Sequence, residues 1–537
     1  MASILEKKIG GKSYFYEVQS YRADGKVKQR ILRYFGRQNP KKNPNATPII
    51  KSQVKATYRF GEVAMLLYCA ETVKFIETID KYMPKRQTLS HGLMLFLLAA
   101  HRLTGDKPSS NKLKRWSEST FLPLLLKFDP AQINKNTIAY TLNCVYNDER
   151  KINHTPHIAK ELYDLARKKF GGKEEIYFYD LTSTYFEGTC CPIARFGYNR
   201  DGLKDKLQIN IGLVIDKTLG LPLMTKVFEG NIHDTKTVYE MVYYAKFVLK
   251  KDKIMLIMDR GMDSEDNIRI IDTTGDDFIL GVSSKHGFVK ELKLKTDAHT
   301  KGWGEIVIKE KKILLQRFTK NLFGKRRFVV LYYSEEKAVD KKEIRDRNIA
   351  YAEQKLKDGV ELTFTKAKKI INGISKYIRL EEKEGKIIWQ RDQIKINKAE
   401  RMDGKFCIMT NKDLDAKDIY KLYFSKDKVE KAFRHMKQDL NLHPTRRILP
   451  DRVRADVFIC HLAYLLLAIA ELSLYEKKIN IFWDTLLTET KEIKLLEYRK
   501  CSGNSYFDYV SNNELQKNIV GELGLQKYVP VNTTPLK

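Results

Sequence analysis

The chain has 537 residues, 43% of them hydrophobic, and a formal net charge of +31. That length exceeds one ordinary core, so about two to four structural units are expected. So large a positive excess points to a polyanionic partner, nucleic acid ahead of a membrane surface. Seven scattered cysteines with no CxxC pair argue against a zinc module or a disulfide framework and for a reducing compartment. The N-terminus, MASILEKKIG, lacks the apolar core of a signal peptide, which favours the cytoplasm and no membrane partner.

In chain order, residues 1–56 read as a basic β-hairpin arm and linker. The first sixty residues carry 14 basic and three acidic side chains. Two alternating runs in YFYEVQSYRADGKVKQRILRYFG flank Ala23-Asp24-Gly25, a hairpin turn signal. Such an arm either contacts DNA or is a solvated edge hairpin. Residues 57–170 have helical periodicity, as in HGLMLFLLAAHRL with Gly105 as a stop, and suggest a helical N-terminal DNA-binding domain. His154 and His157 lie three apart without an acidic or cysteine companion and read as a surface pair.

Residues 171–284 change to strands. EEIYFYDLTSTYFEG, LQINIGLVID and LPLMTKVFEGN, with the turn Lys217-Thr218-Leu219-Gly220, predict an antiparallel meander. A helix follows with Asp234 at its N-cap, then KIMLIMDRG, whose apolar run ending in Asp259 marks a strand buried on both faces. A short helix stopped by Gly275 and the strand FILGVS complete an α/β mixed sheet. Residues 285–404 break that order with lysine-rich alternating stretches and read as a separate β-rich insertion. Its Trp303 and Trp389 either pack in strands or stack on a displaced base. Residues 405–475 return to helices. Within them Val457–Ala470 contains His461, is too short to span a bilayer, and reads as a buried helix. Residues 476–537 form a C-terminal region without a clear pattern.

The segment YFSKDKVEKAFRHMK, residues 423–437, carries the chemistry. At about 100° per residue, with helical spacing extended back to Tyr423, one stripe holds Tyr423, Lys426, Glu430, Arg434 and Lys437. Val429, Phe433, Met436 and Leu440 form an adjacent apolar stripe, and Ser425 is a natural N-cap. A Lys426–Glu430 ion pair accounts for two of these residues without function. Asp180 and Asp259 alter the balance, because carboxylates near strand ends in an open α/β sheet are costly unless paired or bound to a cation. Two aspartates and Glu430 make an oxygen-rich site suited to Mg²⁺ or Mn²⁺. On a basic chain that suggests phosphodiester chemistry with two ions, the lysines and the tyrosine holding backbone phosphates.

At these residues the chain resembles the DDE-class insertion-sequence transposases that carry the Tyr-Arg-Glu-Lys signature. Tyr423, Lys426, Glu430 and Lys437 match its spacing; YDLTSTYFEG and IMDRGMDSEDN resemble its two aspartate segments, and EGNIHDTKT its Gly-Asn…Asp link. The resemblance implies a ribonuclease-H-like catalytic fold interrupted by a β-rich insertion. It implies metal ligation and catalysis by Asp180, Asp259 and Glu430, with a pair of Mg²⁺ or Mn²⁺ ions. Tyr423, Lys426 and Lys437 would contact DNA. It further implies binding of double-stranded DNA at element ends and target, cleavage that frees a 3′-hydroxyl, joining of that hydroxyl to target DNA, a homodimeric synaptic complex, and nucleoid association. The signature's arginine is Lys426 here, which keeps the charge but loses the two-pronged grip on phosphate; Arg434 is the nearby candidate to assist. Two alternatives stay open: a nuclease of this fold that does not join strands, and a catalytically silent DNA-binding derivative.

Overall fold

A computed structural model describes residues 2–530, except 24, 25, 44, 45, 47–51, 85–88, 106–108, 173, 199–201, 203, 204, 249, 251, 299, 309, 360, 361, 441, 443, 446 and 501–504. The chain divides into two compact units. One comprises residues 1–69, 104–134 and 473–537; the other comprises residues 70–103 and 135–472.

The second unit is built on one nine-stranded sheet. Its strands are β1 (Ile176–Tyr185), β2 (Gln208–Asp216), β3 (Pro222–Glu229), β4 (Met255–Met258), β5 (Asp277–Val282), β6 (Gly304–Ile308), β7 (Lys311–Leu322), β8 (Lys325–Ser334) and β9 (Lys405–Thr410). Across the sheet the order is β6-β7-β8-β9-β5-β4-β1-β2-β3. The strands β1, β2 and β3 form the expected antiparallel meander. The turn after β2 is closed by Asp216, whose Oδ1 accepts the N–H groups of Thr218 and Leu219, both at 2.7 Å. Gly220 supplies the left-handed conformation there, with φ of +71°.

Beyond β3 the chain follows α1 (Asp234–Tyr243), β4, α2 (Glu265–Thr274) and β5, the expected alternation. Strand β4 pairs in parallel with both β1 and β5. All four of its residues are buried, as are all nine of β2, which is why both read as continuous apolar runs. One cap differs from expectation. His233 occupies the N-cap of α1 and Asp234 is the first helical residue, where its charge still favours the helix N-terminus.

The β-rich insertion expected over 285–404 resolves differently. After α3 (Gly287–Lys295), strands β6, β7 and β8 join the main sheet through β8–β9 pairing, and the continuous buried run Arg327–Ser334 of β8 extends the existing core. Only the stretch from α4 (Glu335–Lys357) to Glu400 has a core of its own, and it is mainly helical. There Ile349, Ala352, Leu356, Ala367, Ile371 and Ile378 cluster, with Trp389 of the hairpin Ile378–Lys383/Lys386–Arg391 packed against them. Trp303 precedes β6 and donates its Nε1–H to the Asp297 carbonyl at 2.8 Å.

The sheet is followed by α5 (Ala416–Phe424), α6 (Asp427–Arg434) and α7 (Pro450–Glu476). Helix α7 contains Val457–Ala470. It is long and apolar enough to cross a bilayer by length and composition, yet 89% of its most apolar window is buried in the protein.

The first unit holds two three-stranded antiparallel sheets. Ala2–Ile9, Lys12–Ala23 and Lys26–Gly36 form one, so the basic hairpin is part of a larger sheet; its turn residues Asp24 and Gly25 lie outside the described residues. In the other, Lys494–Lys500 pairs with both Ser52–Arg59 and Ser505–Val510. The carboxylate of Glu497, nearly buried, accepts from Lys55, Tyr58 and Ser505 at 2.7–3.0 Å and ties the chain's two ends together. Residues 57–170, expected as one helical domain, are divided between the two units.

Candidate active site

Parallel register brings the two aspartates together. Tyr179 of β1 sits beside Met258 of β4, so one further residue along each strand places Asp180 next to Asp259. Adjacent strands lie about 4.8 Å apart and residues in register share a face. Asp180 is partly buried and its Oδ1 accepts the N–H of Leu181 at 2.8 Å. Asp259 stands at the N-terminal end of the short helical turn Arg260–Met262, in extended backbone.

The segment expected to be one helix is two. Helix α5 ends at Phe424, and Ser425, expected as an N-cap, is the C-cap: its Oγ donates to the Leu422 carbonyl at 2.7 Å. Helix α6 begins at Asp427. Burial explains the break. Ile419, Tyr420 and Tyr423 are buried on α5, which packs on β5, β9 and β4. Val429, Phe433, Met436 and Leu440 are buried as the apolar stripe predicted, and α6 packs on β1 and β2. On a straight helix these two faces would point roughly 120° apart, and a kink lets both be buried. Lys428, which belongs to neither stripe, donates to the Lys217 and Thr218 carbonyls at 2.7 and 3.0 Å and pins α6 to the β2–β3 turn.

The kink leaves the central contacts intact. Both Tyr423, from α5, and Lys426, from the junction, reach the same atom of Asp259. The Tyr423 hydroxyl donates to Oδ1 at 3.0 Å and the Lys426 ammonium lies 3.1 Å from it. Glu430 follows one turn later, 4.0 Å from Lys426, with its side chain 61% exposed. Arg434 is exposed at the end of α6, and Lys437 is partly buried in the wider turn His435–Asp439. The structure therefore joins Tyr423 and Lys426 to Asp259, leaves Glu430 4.0 Å from Lys426, carries Asp180 on the neighbouring strand, and keeps Arg434 and Lys437 further along the helical segment.

Electrostatics follow from this packing. Burial pushes the Asp259 carboxyl up, but the Lys426 charge, the Arg260 backbone N–H and the Tyr423 hydroxyl outweigh it and hold the carboxyl below its usual range. Burial and the neighbouring Asp259 charge push the Tyr423 phenol well up, so it stays a donor.

One essential residue was missed in the pattern. A Cβ at Gly281 of β5 would collide with the Tyr423 hydroxyl, so only glycine leaves Tyr423 room to reach Asp259. An isolated glycine inside the strand run FILGV was the available signal, since such a residue marks a close approach.

The donor set is carboxylate oxygen throughout, which suits a hard divalent cation. Among the described residues no group of three or more His, Cys, Asp or Glu side chains converges closely enough to hold a metal ion as arranged. At Asp259 the Lys426 ammonium, 3.1 Å from Oδ1, supplies the positive charge.

A family model described as "Transposase DDE domain" matches residues 171–466. Another, "IS1634 family transposase, N-terminal domain", matches residues 5–62. No curated protein matches the chain. Among solved structures, a cryo-EM structure of the piggyBac transposase synaptic complex with hairpin DNA is similar at 10% identity and a TM-score of 0.40, covering 79% of each chain.

Proposed function

The chain belongs to the DDE-domain transposases, and from that premise we propose that this DNA transposase cleaves element ends and joins the freed 3′-hydroxyl to target DNA at the Asp259 site. Support comes from one observation above all: Tyr423 of α5 and Lys426 of the junction that follows meet on the same oxygen of Asp259. The sheet order around that point, an antiparallel meander followed by two parallel strands with the aspartates adjacent, supports a ribonuclease-H-like core.

Asp180, Asp259 and Glu430 are the residues that would hold divalent ions, the cofactor class typical of this family. Bound there, Mg²⁺ or Mn²⁺ would help an oxygen attack phosphorus and stabilise the departing one. Tyr423 fixes the Asp259 carboxylate by donating to it, and its raised pKa keeps that proton in place at neutral pH. Lys426, whose ammonium now neutralises Asp259, is positioned to meet a backbone phosphate instead. A lysine offers a point charge where the signature arginine offers a fork, so phosphate orientation depends more on neighbours, Arg434 and Lys437 among them. Two copies would bridge two ends in the synaptic complex.

The exposure of Glu430 and the Lys426–Asp259 pair also favour a second reading, a catalytically silent DNA-binding derivative locked in this arrangement. Incubation with DNA flanking the gene, with and without Mg²⁺, separates the two. Metal-dependent nicking at defined ends supports the transposase. Binding without cleavage under every divalent metal supports the silent form, and cleavage without joining leaves a nuclease.

A further inference from the structure

A second constellation lies near Asp259 and takes no part in the contacts described above. Three lysines from two helices converge on one aromatic ring, that of Phe406 in β9. The ammonium groups of Lys341, Lys337 and Lys293 lie 4.5, 5.1 and 5.5 Å from its centroid. All three therefore sit within roughly a Debye length of one another. Lys337 and Lys341 are one turn apart on α4, and Lys293 comes from α3.

Charge balance distinguishes this cluster from ordinary surface lysines. Among the described residues none of the three has a carboxylate at ion-pair distance. Elsewhere on α4, Lys342 pairs with Glu400 at 3.7 Å and Arg345 with Asp403 at 2.5 Å. Lys293 is only 6% exposed, with the Ser284 hydroxyl as its acceptor at 2.8 Å. Burial pushes its pKa down to about 8; neighbouring Cys407 opposes this most, the charges of Lys341 and Arg260 add to the lowering, and Asp403 acts the other way. Cation–π contact with Phe406 orients the ammonium groups, but it cancels none of the repulsion. An anion would.

The cluster is also continuous with the site. Phe406 stacks on Tyr332 at 5.2 Å, Tyr332 meets Phe424 edge-on at 5.4 Å, and Phe424 meets Tyr423 at 5.2 Å. Tyr423 in turn donates to Asp259. Three ring contacts thus separate the ring beneath the lysines from the tyrosine on the carboxylate, a span of a few nucleotides at about 3.4 Å of rise each.

We propose that Lys337, Lys341 and Lys293, gathered over Phe406 with Arg260 beside them, form a phosphate cradle that holds the DNA backbone a few nucleotides from the Asp259 site. This inference rests on the transposase reading. The cradle positions DNA without contacting bases, so it adds affinity and register but no sequence preference.

The test uses the full chain and a fluorescent duplex from the DNA flanking the gene, with binding followed by anisotropy across a salt series. The Lys337→Gln/Lys341→Gln double variant should bind more weakly, and its plot of log K against log salt should be shallower by about two, one per lysine. Lys337→Arg/Lys341→Arg should restore both, and Lys342→Gln, on the paired face of α4, should leave both unchanged. The melting temperature of the double variant shows whether it is folded. An unchanged slope in the folded double variant, while the wild type responds steeply, overturns the cradle and spares the transposase reading. An equal change in Lys342→Gln overturns it as well, since the effect would then be general charge. A flat salt response in the wild type removes both readings together.

Discussion

Asp216 and Asp259 are both aspartates at strand ends of the same sheet, and they are held in opposite ways. Asp216 is fully buried; two backbone N–H groups of its own turn donate to Oδ1, and the buried Tyr163 hydroxyl donates to Oδ2 at 2.9 Å. Its partners are fixed by the backbone and the core, so its charge is committed to structure. Asp259 has a 43% exposed side chain, and besides the neighbouring Arg260 backbone N–H its partners are the tips of a tyrosine and a long, rotatable lysine from elements far along the chain. A carboxylate satisfied by exchangeable partners can give them up to a substrate or cation; one satisfied by its own turn cannot. Buried acids alone do not mark a site. The kind of donor around them does.

The sharpest way to break this contrast is at the exposed end. Glu430→Gln should lower divalent-metal-dependent cleavage by about a thousandfold or more, a loss of several kcal/mol of transition-state stabilisation, while DNA affinity stays near wild type. Equal loss of binding and cleavage in quantitative assays would assign Glu430 a structural role. Asp216→Asn should do the reverse, costing about 2–3 kcal/mol of stability in denaturant titrations with the cleavage rate of the folded protein preserved. Gly281→Ala lies between the two. The added methyl displaces the Tyr423 hydroxyl, so about 1–2 kcal/mol of stability and much of the activity should be lost together.

Smaller effects sharpen the electrostatics. A lysine whose folded pKa is depressed destabilises the native state below that pKa, and the penalty fades as pH rises toward the ordinary lysine value. Lys293→Met should therefore raise stability at neutral pH by on the order of 1 kcal/mol, with the gain shrinking above about pH 8, while DNA binding weakens. For Asp259 the sign is opposite. Its depressed pKa gives stability that is present above the unfolded carboxylate range and is lost as pH falls through the folded value. Lys426→Gln removes a major cause of that depression, so NMR titration should find the Asp259 carboxyl protonating at higher pH, and the part of the acid destabilisation that comes from Asp259 should shrink.

Much of this architecture was legible from residues. Continuous apolar runs marked β2 and β4 because both are buried on two faces, and alternation with turn residues marked the meander. The apolar side of α6 was readable because Val429, Phe433, Met436 and Leu440 repeat at helical spacing. The break at Ser425 was not, since it arises from two burial faces set by different strands, a tertiary demand that local periodicity does not carry. Likewise β6, β7 and β8 look like an independent insertion by composition. Their place in the main sheet depends on β8 pairing with β9, more than seventy residues later. At the site, spacing singled out the three acids, Tyr423 and Lys426 as candidates, whereas the meeting of Tyr423 and Lys426 on a single Asp259 oxygen was not legible. The role of Gly281 depended on that meeting.

On the proposed reading, Asp180, Asp259 and Glu430 act as one divalent-cation site once DNA engages Lys426. Mn²⁺ binding measured by electron paramagnetic resonance, with flanking DNA present, tests it most directly on the wild type and on Asp180→Asn, Asp259→Asn and Glu430→Gln. Tight Mn²⁺ binding in the wild type that weakens by about ten- to a hundredfold or more in each variant is the expected result. Identical Mn²⁺ affinity in all four folded proteins would contradict it.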